Sequence, residues 1–345
     1  MKKIALCGLP NSGKSTFIKL ISQSDVLIAS YPFSTLKPQE YAVFVFSREL
    51  KNLFEITKSK KLIPPNLIFI DVPGLIKGAH KGEGLGNEFL SYLRGSDFIL
   101  EIIRNFEKED VFHVEGKVDI IRDVLIIEDE IIYSEKEILE RLIKKIEKEK
   151  DKGLKEKGKI LESVYNQLSP GKRFPEFYDL VKEFNLLIIK KWFLLINGKE
   201  VETEKLKNDL MDLCEIELSK NFAFEKIYSL DFLKEIENLK MNFTENNYGF
   251  YNFLNSLRKD LGLIQFFTFN KEITQGWFIP EGSSLFEAAK MIHNELALKF
   301  KVAECIDLNS FLQIGDWEKA KKMGLIRNEG KDSKVEENKI IYVKI

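Results

Sequence analysis

Apolar residues first gather in a short run at residues 4–7, Ile4, Ala5, Leu6 and Cys7, which stops at Gly8. From residue 14 the period changes: Phe17, Ile18, Leu20 and Ile21 fall on one face of a helix. A strand, a glycine-containing loop and an amphipathic helix in that order open an α/β nucleotide fold. Alternation over residues 41–46 predicts a second strand. Apolar runs at 67–70, 98–103 and 192–196 predict further strands, the first ending at Asp71 and the last at Asn197. Strands separated by helical stretches argue for a doubly wound, mostly parallel sheet.

The sequence between the last two strands has another style. From residue 134 to 159, seventeen of 26 residues are charged, while Ile138, Leu139, Leu142, Ile143 and Ile146 keep helical spacing. Gly153 and Gly158 interrupt that pattern before Ile160, Leu161, Val164 and Leu168 resume it. Two helices folded back as a protruding αα-hairpin are expected. With ten basic and seven acidic residues, this arm reads either as a solvated face or as a docking surface. After residue 260 the pattern changes again. Strands are predicted at 261–269, 274–279 and 340–345, and a helix at 285–300, which together suggest a small α+β module. The expected organisation is a nucleotide-binding domain over 1–130 and 186–260, a helical insertion over 131–185, and a C-terminal module over 261–345.

Composition narrows the setting. The chain has 345 residues, more than one core usually organises. Its 53 basic and 54 acidic side chains leave no global field for nucleic acid or anionic lipid, and the C-terminal module is itself balanced at twelve of each. Cys7, Cys214 and Cys305 are far apart and odd in number, which excludes a disulfide framework and fits a reducing compartment. No apolar run approaches the roughly 20 residues of a membrane helix. The segment from Gly8 to Thr16 breaks the N-terminal apolar run too early for a signal peptide. A cytoplasmic protein with no membrane partner is expected.

Gly8-Leu9-Pro10-Asn11-Ser12-Gly13-Lys14-Ser15 fits G-x-x-x-x-G-K-[ST]. Such a loop closes backbone N–H groups of Asn11, Ser12, Gly13 and their neighbours, through Thr16, around phosphate oxygens. Lys14 would reach the β- and γ-phosphates and Ser15 would offer its hydroxyl to Mg²⁺. Asp71-Val72-Pro73-Gly74 supplies a strand-end carboxylate for Mg²⁺ and, at Gly74, an N–H that can approach a γ-phosphate. Thr35, in Tyr31-Pro32-Phe33-Ser34-Thr35, is a second hydroxyl candidate for Mg²⁺ and the γ-phosphate, on a segment ordered by triphosphate. Gly78, Gly82, Gly84 and Gly86 mark a mobile loop beside it. Finally, Asn197-Gly198-Lys199-Glu200 stands where GTPases carry Asn-Lys-x-Asp. Glu200 replaces the Asp that reads guanine N1–H and N2–H₂, so the pocket does not follow the guanine rule. A nucleoside triphosphate with Mg²⁺ is expected, ATP or GTP.

Together these residues resemble the Obg-related GTPases and, within them, the YchF (Obg-like ATPase) family. The Lys81-Gly82-Glu83-Gly84-Leu85-Gly86-Asn87 stretch, Arg104-Asn105-Phe106, His113-Val114-Glu115-Gly116-Lys117-Val118-Asp119 and Asn197-x-x-Glu200 carry the likeness. Ser12 stands where that family usually has Val and Pro73 where it usually has Ala. The segment from Leu261-Gly262-Leu263-Ile264 resembles the family's TGS domain, a β-grasp fold. The resemblance implies slow hydrolysis of ATP at least as readily as of GTP. It also implies engagement of ribosomes or ribosomal RNA through the helical arm and TGS domain. Leu75 occupies the place of the water-positioning Gln of Ras-type GTPases, and the resemblance makes the histidine matching His113 the residue that orients water. The segment Cys214-Glu215-Ile216-Glu217 loosely resembles the fifth nucleotide motif. Two readings stay open: a slow hydrolase acting as a switch, or a nucleotide-gated binding module with little hydrolysis.

Overall fold

The computed structural model describes residues 2–23, 26–29, 39–72, 85–216, 222–240 and 249–345. In chain order the first elements are β1 (Lys3–Cys7), α1 (Lys14–Gln23), β2 (Val26–Ala29), β3 (Gln39–Phe44), α2 (Arg48–Thr57), β4 (Lys61–Ile63), β5 (Asn66–Asp71), α3 (Leu85–Arg94) and β6 (Phe98–Asn105). The long α4 (Ile120–Glu147) and α5 (Lys152–Asn166) follow, then α6 (Tyr178–Val181), β7 (Lys191–Gly198), α7 (Thr203–Leu213), β8 (Phe224–Leu230) and α8 (Phe232–Lys240). The rest comprises α9 (Gly249–Asp260), β9 (Leu263–Phe269), β10 (Ile273–Pro280), α10 (Leu285–Ile292), α11 (Asn294–Leu298), β11 (Val302–Asp307), α12 (Leu308–Ile314), α13 (Trp317–Lys322), β12 (Arg327–Glu329) and β13 (Lys339–Lys344).

The chain forms two compact units. The first, residues 1–43 and 68–243, holds a sheet of order β2-β3-β5-β1-β6-β7-β8. β1 runs parallel to β5 and β6, β6 to β7, and β7 to β8, while β2 and β3 are antiparallel. The central strands are buried throughout, so they read as continuous apolar runs rather than as alternation. α1 is pinned behind the sheet by Phe17, whose ring meets Phe69 of β5 at 5.5 Å and Phe232 of α8 at 5.3 Å between centroids.

α4 and α5 form the expected hairpin, but α4 starts at Ile120, eleven residues before the expected insertion. The Asp119 side chain caps it by accepting the Arg122 N–H. The first half of α4 is a core helix: Val124, Ile127 and Ile131 join the buried cluster under the sheet. Its buried carboxylates are tied down rather than solvated. Glu128 receives both Nη atoms of the 2%-exposed Arg173 at 2.8 and 2.6 Å, together with the Gly171 N–H. Glu135 takes Arg94 and the Leu187 N–H. Within the 134–159 arm itself Glu135 is the one buried charged residue, and nearly all the others are exposed, as a solvated face requires. Farther out, Leu139 and Ile146 of α4 face Leu161 and Val164 of α5, and a Cβ on Gly158 would sit 2.9 Å from Ile146.

The second unit contains residues 44–67 and 244–345. Its sheet has the order β12-β11-β13-β9-β10-β4, with β13 parallel to β9 and β9 antiparallel to β10. It is the β-grasp (TGS) module. Two expected boundaries are corrected. Residues 44–67, read as part of the nucleotide domain, supply edge strand β4 and helix α2, whose Leu50 and Leu53 pack with Phe267, Ile306, Phe311 and Ile340. α9, also assigned to the nucleotide domain, buries Phe250, Phe253, Leu254 and Leu257 within this unit. An amphipathic helix shows that it has a core face, not which core it joins. The helix expected over 285–300 is interrupted at His293, which is extended (φ −166°) and caps α11 with its ring.

Candidate active site

The carboxyl ends of the parallel strands in the first unit converge on the loop after β1, the usual ligand edge of a doubly wound sheet. Gly8 (φ +149°), Asn11 (φ +65°) and Gly13 (φ +107°) adopt left-handed backbone conformations there. A Cβ on Gly8 would meet the Ile102 carbonyl at 2.5 Å, and one on Gly13 would meet Asn197 Nδ2 at 2.2 Å. Both glycines are thus required by backbone angle and by space.

Lys14 curls back over this loop, and its Nζ donates to the carbonyls of Gly8 (2.7 Å) and Leu9 (3.1 Å). Burial pushes its ammonium below the ordinary lysine value, partly offset by Cys7 and Asp71. Asp71, at the end of β5, lies in register with Leu6 of β1. Burial pushes its carboxyl up, and Lys14 partly restores it. Ser12 is buried with an Oγ that has no hydrogen-bond partner among the described residues. A loop whose ammonium rests on carbonyls and whose buried hydroxyl is unsatisfied fits an incoming polyphosphate. Ser15 and Asp71 have the hard oxygen donors that suit Mg²⁺.

A cavity of about 850 Å³ opens at this loop. Asn11, Gly13, Lys14, Ser15 and Thr16 form one end; Phe106, Val111, Asn197, Asp231, Leu233 and Lys234 are among the residues forming the other walls. Asn197 acts as a strut. Its Nδ2 donates to the Ser12 carbonyl (3.1 Å), and its Oδ1 accepts the Phe232 N–H (3.3 Å) at the start of α8. Beyond it, Gly198 (φ +127°) turns the chain back onto β6, where the Lys199 N–H donates to the Asn105 carbonyl and Asn105 Nδ2 donates to Lys199 O. Glu200 is thereby led away, exposed and outside the cavity lining.

His113 does not line the cavity; it is buried beside it. The preceding carbonyl, that of Phe112, accepts Asn11 Nδ2 at 3.0 Å, which ties the histidine's loop to the phosphate loop. Arg104, at the end of β6, holds the same loop by donating to the carbonyls of Phe106 and Val111. Thr35, Gly74, Leu75 and the glycine-rich stretch through Gly84 lie outside the described residues.

The fifth-motif expectation is corrected. Cys214 packs against Gly171, where a Cβ would meet its Sγ at 2.7 Å, and Cys214, Glu215 and Ile216 are not among the residues lining the cavity. That position is taken by Asp231, after β8, whose Oδ1 accepts the N–H groups of Leu233 and Lys234. The one available signal was an Asp immediately before an amphipathic helix, following an unrecognised strand.

A 50S ribosome-binding GTPase family model matches residues 3–151, and YchF-GTPase_C, described as a protein of unknown function, matches 263–345. Among relatives, the ribosome-binding ATPase YchF of Buchnera aphidicola (subsp. Acyrthosiphon pisum) is 30% identical over 360 residues, covering 99% of this chain and 98% of its own. The chain belongs to the YchF/Obg-like ATPase family. Human Obg-like ATPase 1 is 31% identical over 365 residues, with 99% of this chain and 92% of its own covered. The Schizosaccharomyces pombe YchF GTPase structure superposes with a TM-score of 0.79 at 28% identity, covering 99% of this chain and 97% of its own. As a family member the chain is a P-loop nucleoside triphosphate hydrolase. Among the described residues no helix is long and apolar enough to cross a membrane.

Proposed function

We propose that this protein is a slow, Mg²⁺-dependent ATPase that works as a nucleotide switch on the ribosome. The observation that carries the preference for ATP is the double engagement of Asn197. Both ends of its amide brace the phosphate loop and α8, while Glu200 is turned out of the cavity. A guanine-reading carboxylate is thus missing from the wall at that point, whereas Phe106, Val111 and Leu233 offer apolar surface to a purine ring.

In this reading Lys14 leaves the Gly8 and Leu9 carbonyls for the β- and γ-phosphates, and Asn11, Ser12, Gly13 and Thr16 present the loop to them. Ser15 and Asp71, with Thr35, would hold Mg²⁺, which when bound would supply charge neutralisation for the leaving phosphate oxygens. The Gly74 N–H meets the γ-phosphate, and His113 orients the attacking water in place of the side chain that Leu75 lacks. The relatives' name, ribosome-binding ATPase, supports a ribosomal partner, with the α4–α5 arm and the C-terminal module as the surfaces offered.

Titration of ATP against GTP with Mg²⁺, followed by single-turnover hydrolysis with and without ribosomes, tests the proposal. ATP is expected to bind at least as tightly as GTP, and His113→Ala to slow hydrolysis about tenfold, about 1.4 kcal/mol of barrier, at little change in affinity. Strong GTP selectivity would overturn the base assignment, and an unchanged rate in His113→Ala would overturn the role of His113.

A further inference from the structure

The two ring nitrogens of His113 are engaged in different ways. Nδ1 accepts the Glu115 backbone N–H at 3.1 Å, and Nε2 lies 2.7 Å from Asp123 Oδ2. A nitrogen that accepts an N–H carries no proton, so the proton of the neutral ring sits on Nε2 and is donated to Asp123. Asp123 lies in the first turn of α4 and is 1% exposed. Its other oxygen accepts Arg122 Nε and Nη2 at 3.2 and 2.9 Å, so the carboxylate cannot swing away from the ring. The Glu115 contact is of another kind. It lies within a tight turn closed by Gly116 N–H to His113 O at 2.9 Å, with Gly116 at φ +81° and nothing within 4 Å of the place a Cβ would occupy.

We propose that Asp123 is the positioning residue for His113: it fixes the Nε2–H tautomer and reserves the Nδ1 lone pair for the attacking water. This rests on the reading above that His113 orients water. An acceptor nitrogen held by a carboxylate on its far side is the arrangement by which a base is oriented toward its proton donor. The turn's outer side, Val114 and Gly116, is exposed, and it is the part that opens, exchanging the Glu115 N–H for a water O–H, while the buried pair with Asp123 persists. The link from Asn11 to the Phe112 carbonyl places this exchange one residue from a contact with the phosphate loop.

Asp123→Asn tests it, because an amide can donate to Nε2 and so drives the proton onto Nδ1, turning the water acceptor into a donor. Single-turnover hydrolysis of MgATP should fall about tenfold, as in His113→Ala, with ATP affinity within about twofold. The double variant should be no slower than His113→Ala alone. Full-rate hydrolysis by Asp123→Asn beside a slow His113→Ala overturns the inference and leaves the His113 reading intact; a full rate in His113→Ala overturns both. A further loss in the double variant also overturns it, since Asp123 would then act elsewhere. A readout on the unmodified protein is the ¹⁵N spectrum of its three histidines, with the His113 signals assigned by their loss in His113→Ala. The Nε2–H tautomer is expected, and an Nδ1–H tautomer overturns the inference.

Discussion

The two ends of the cavity are built by different means. At the phosphate end one continuous stretch, Gly8 to Thr16, supplies the loop, its left-handed turns and the cation. At the other end the contributors come from separate crossings of the sheet: Phe106 and Val111 after β6, Asn197 at the end of β7, and Asp231 and Leu233 after β8. Phosphate is met by backbone N–H groups, whose placement depends on local dihedral angles. A base is met by a wall, and a wall exists only once the strands have paired. The first kind of site is fixed by backbone angles at Gly8, Asn11 and Gly13, whereas the second is fixed by which strands are neighbours.

The largest effect should follow from Lys14→Ala, which removes the cation of the phosphate end. ATP affinity in the presence of Mg²⁺ should fall at least about a hundredfold, about 2.8 kcal/mol, with an unchanged circular dichroism spectrum. Titration calorimetry that found the original affinity would remove the phosphate site from this loop.

Gly13→Ala attacks the junction of the two ends, because the new Cβ would collide with Asn197 at a backbone angle that side chains rarely adopt. A loss of about 1–3 kcal/mol of stability is expected, together with loss of the thermal shift that MgATP confers on the unmodified protein. An unchanged melting temperature would show that the loop relaxes freely. Asn197→Ala cuts the strut itself and should weaken binding about tenfold, about 1.4 kcal/mol. The informative comparison is between nucleotides: a strut loses ATP and GTP equally, while a base reader loses one of them.

A milder effect concerns pH. Because burial lowers the Lys14 pKa, the free protein loses this charge at a lower pH than an ordinary lysine would. Phosphate favours the charged form, so binding takes up a proton as pH rises through the lowered pKa, and affinity declines over that range. Calorimetry over a series of alkaline pH values, in two buffers of different ionisation enthalpy, should reveal proton uptake that Lys14→Arg lacks. The smallest change is expected at the far end of the cavity. Glu200→Asp, outside the cavity, should move the ATP/GTP preference by at most about twofold, and a large swing toward GTP would bring Glu200 into the site.

The sequence by itself determined the glycine-loop pattern, the strand ending at Asp71, the hairpin and a small C-terminal α+β module, because each is a local periodicity or a fixed spacing; the β-grasp reading came from resemblance to a family. It did not determine that residues 44–67 leave the nucleotide sheet to supply α2 and β4 to the other unit. Nor did it reveal that the left-handed turn at Gly198 would lead Glu200 outward, or that Asp231 rather than Cys214 would stand at the cavity. Those outcomes depend on which strands become neighbours. Asn197 reads locally as an Asn-Gly turn, and becomes a strut because β7 lies between β6 and β8, within reach of Ser12 and Phe232. His113 and Asp123 are ten residues apart in the chain. They meet because α4 begins at Ile120 and packs against the sheet, placing its first turn beside the loop that leaves β6. Hydrogen bonds of that kind are set by helix placement, which hydrophobic burial decides over the whole domain.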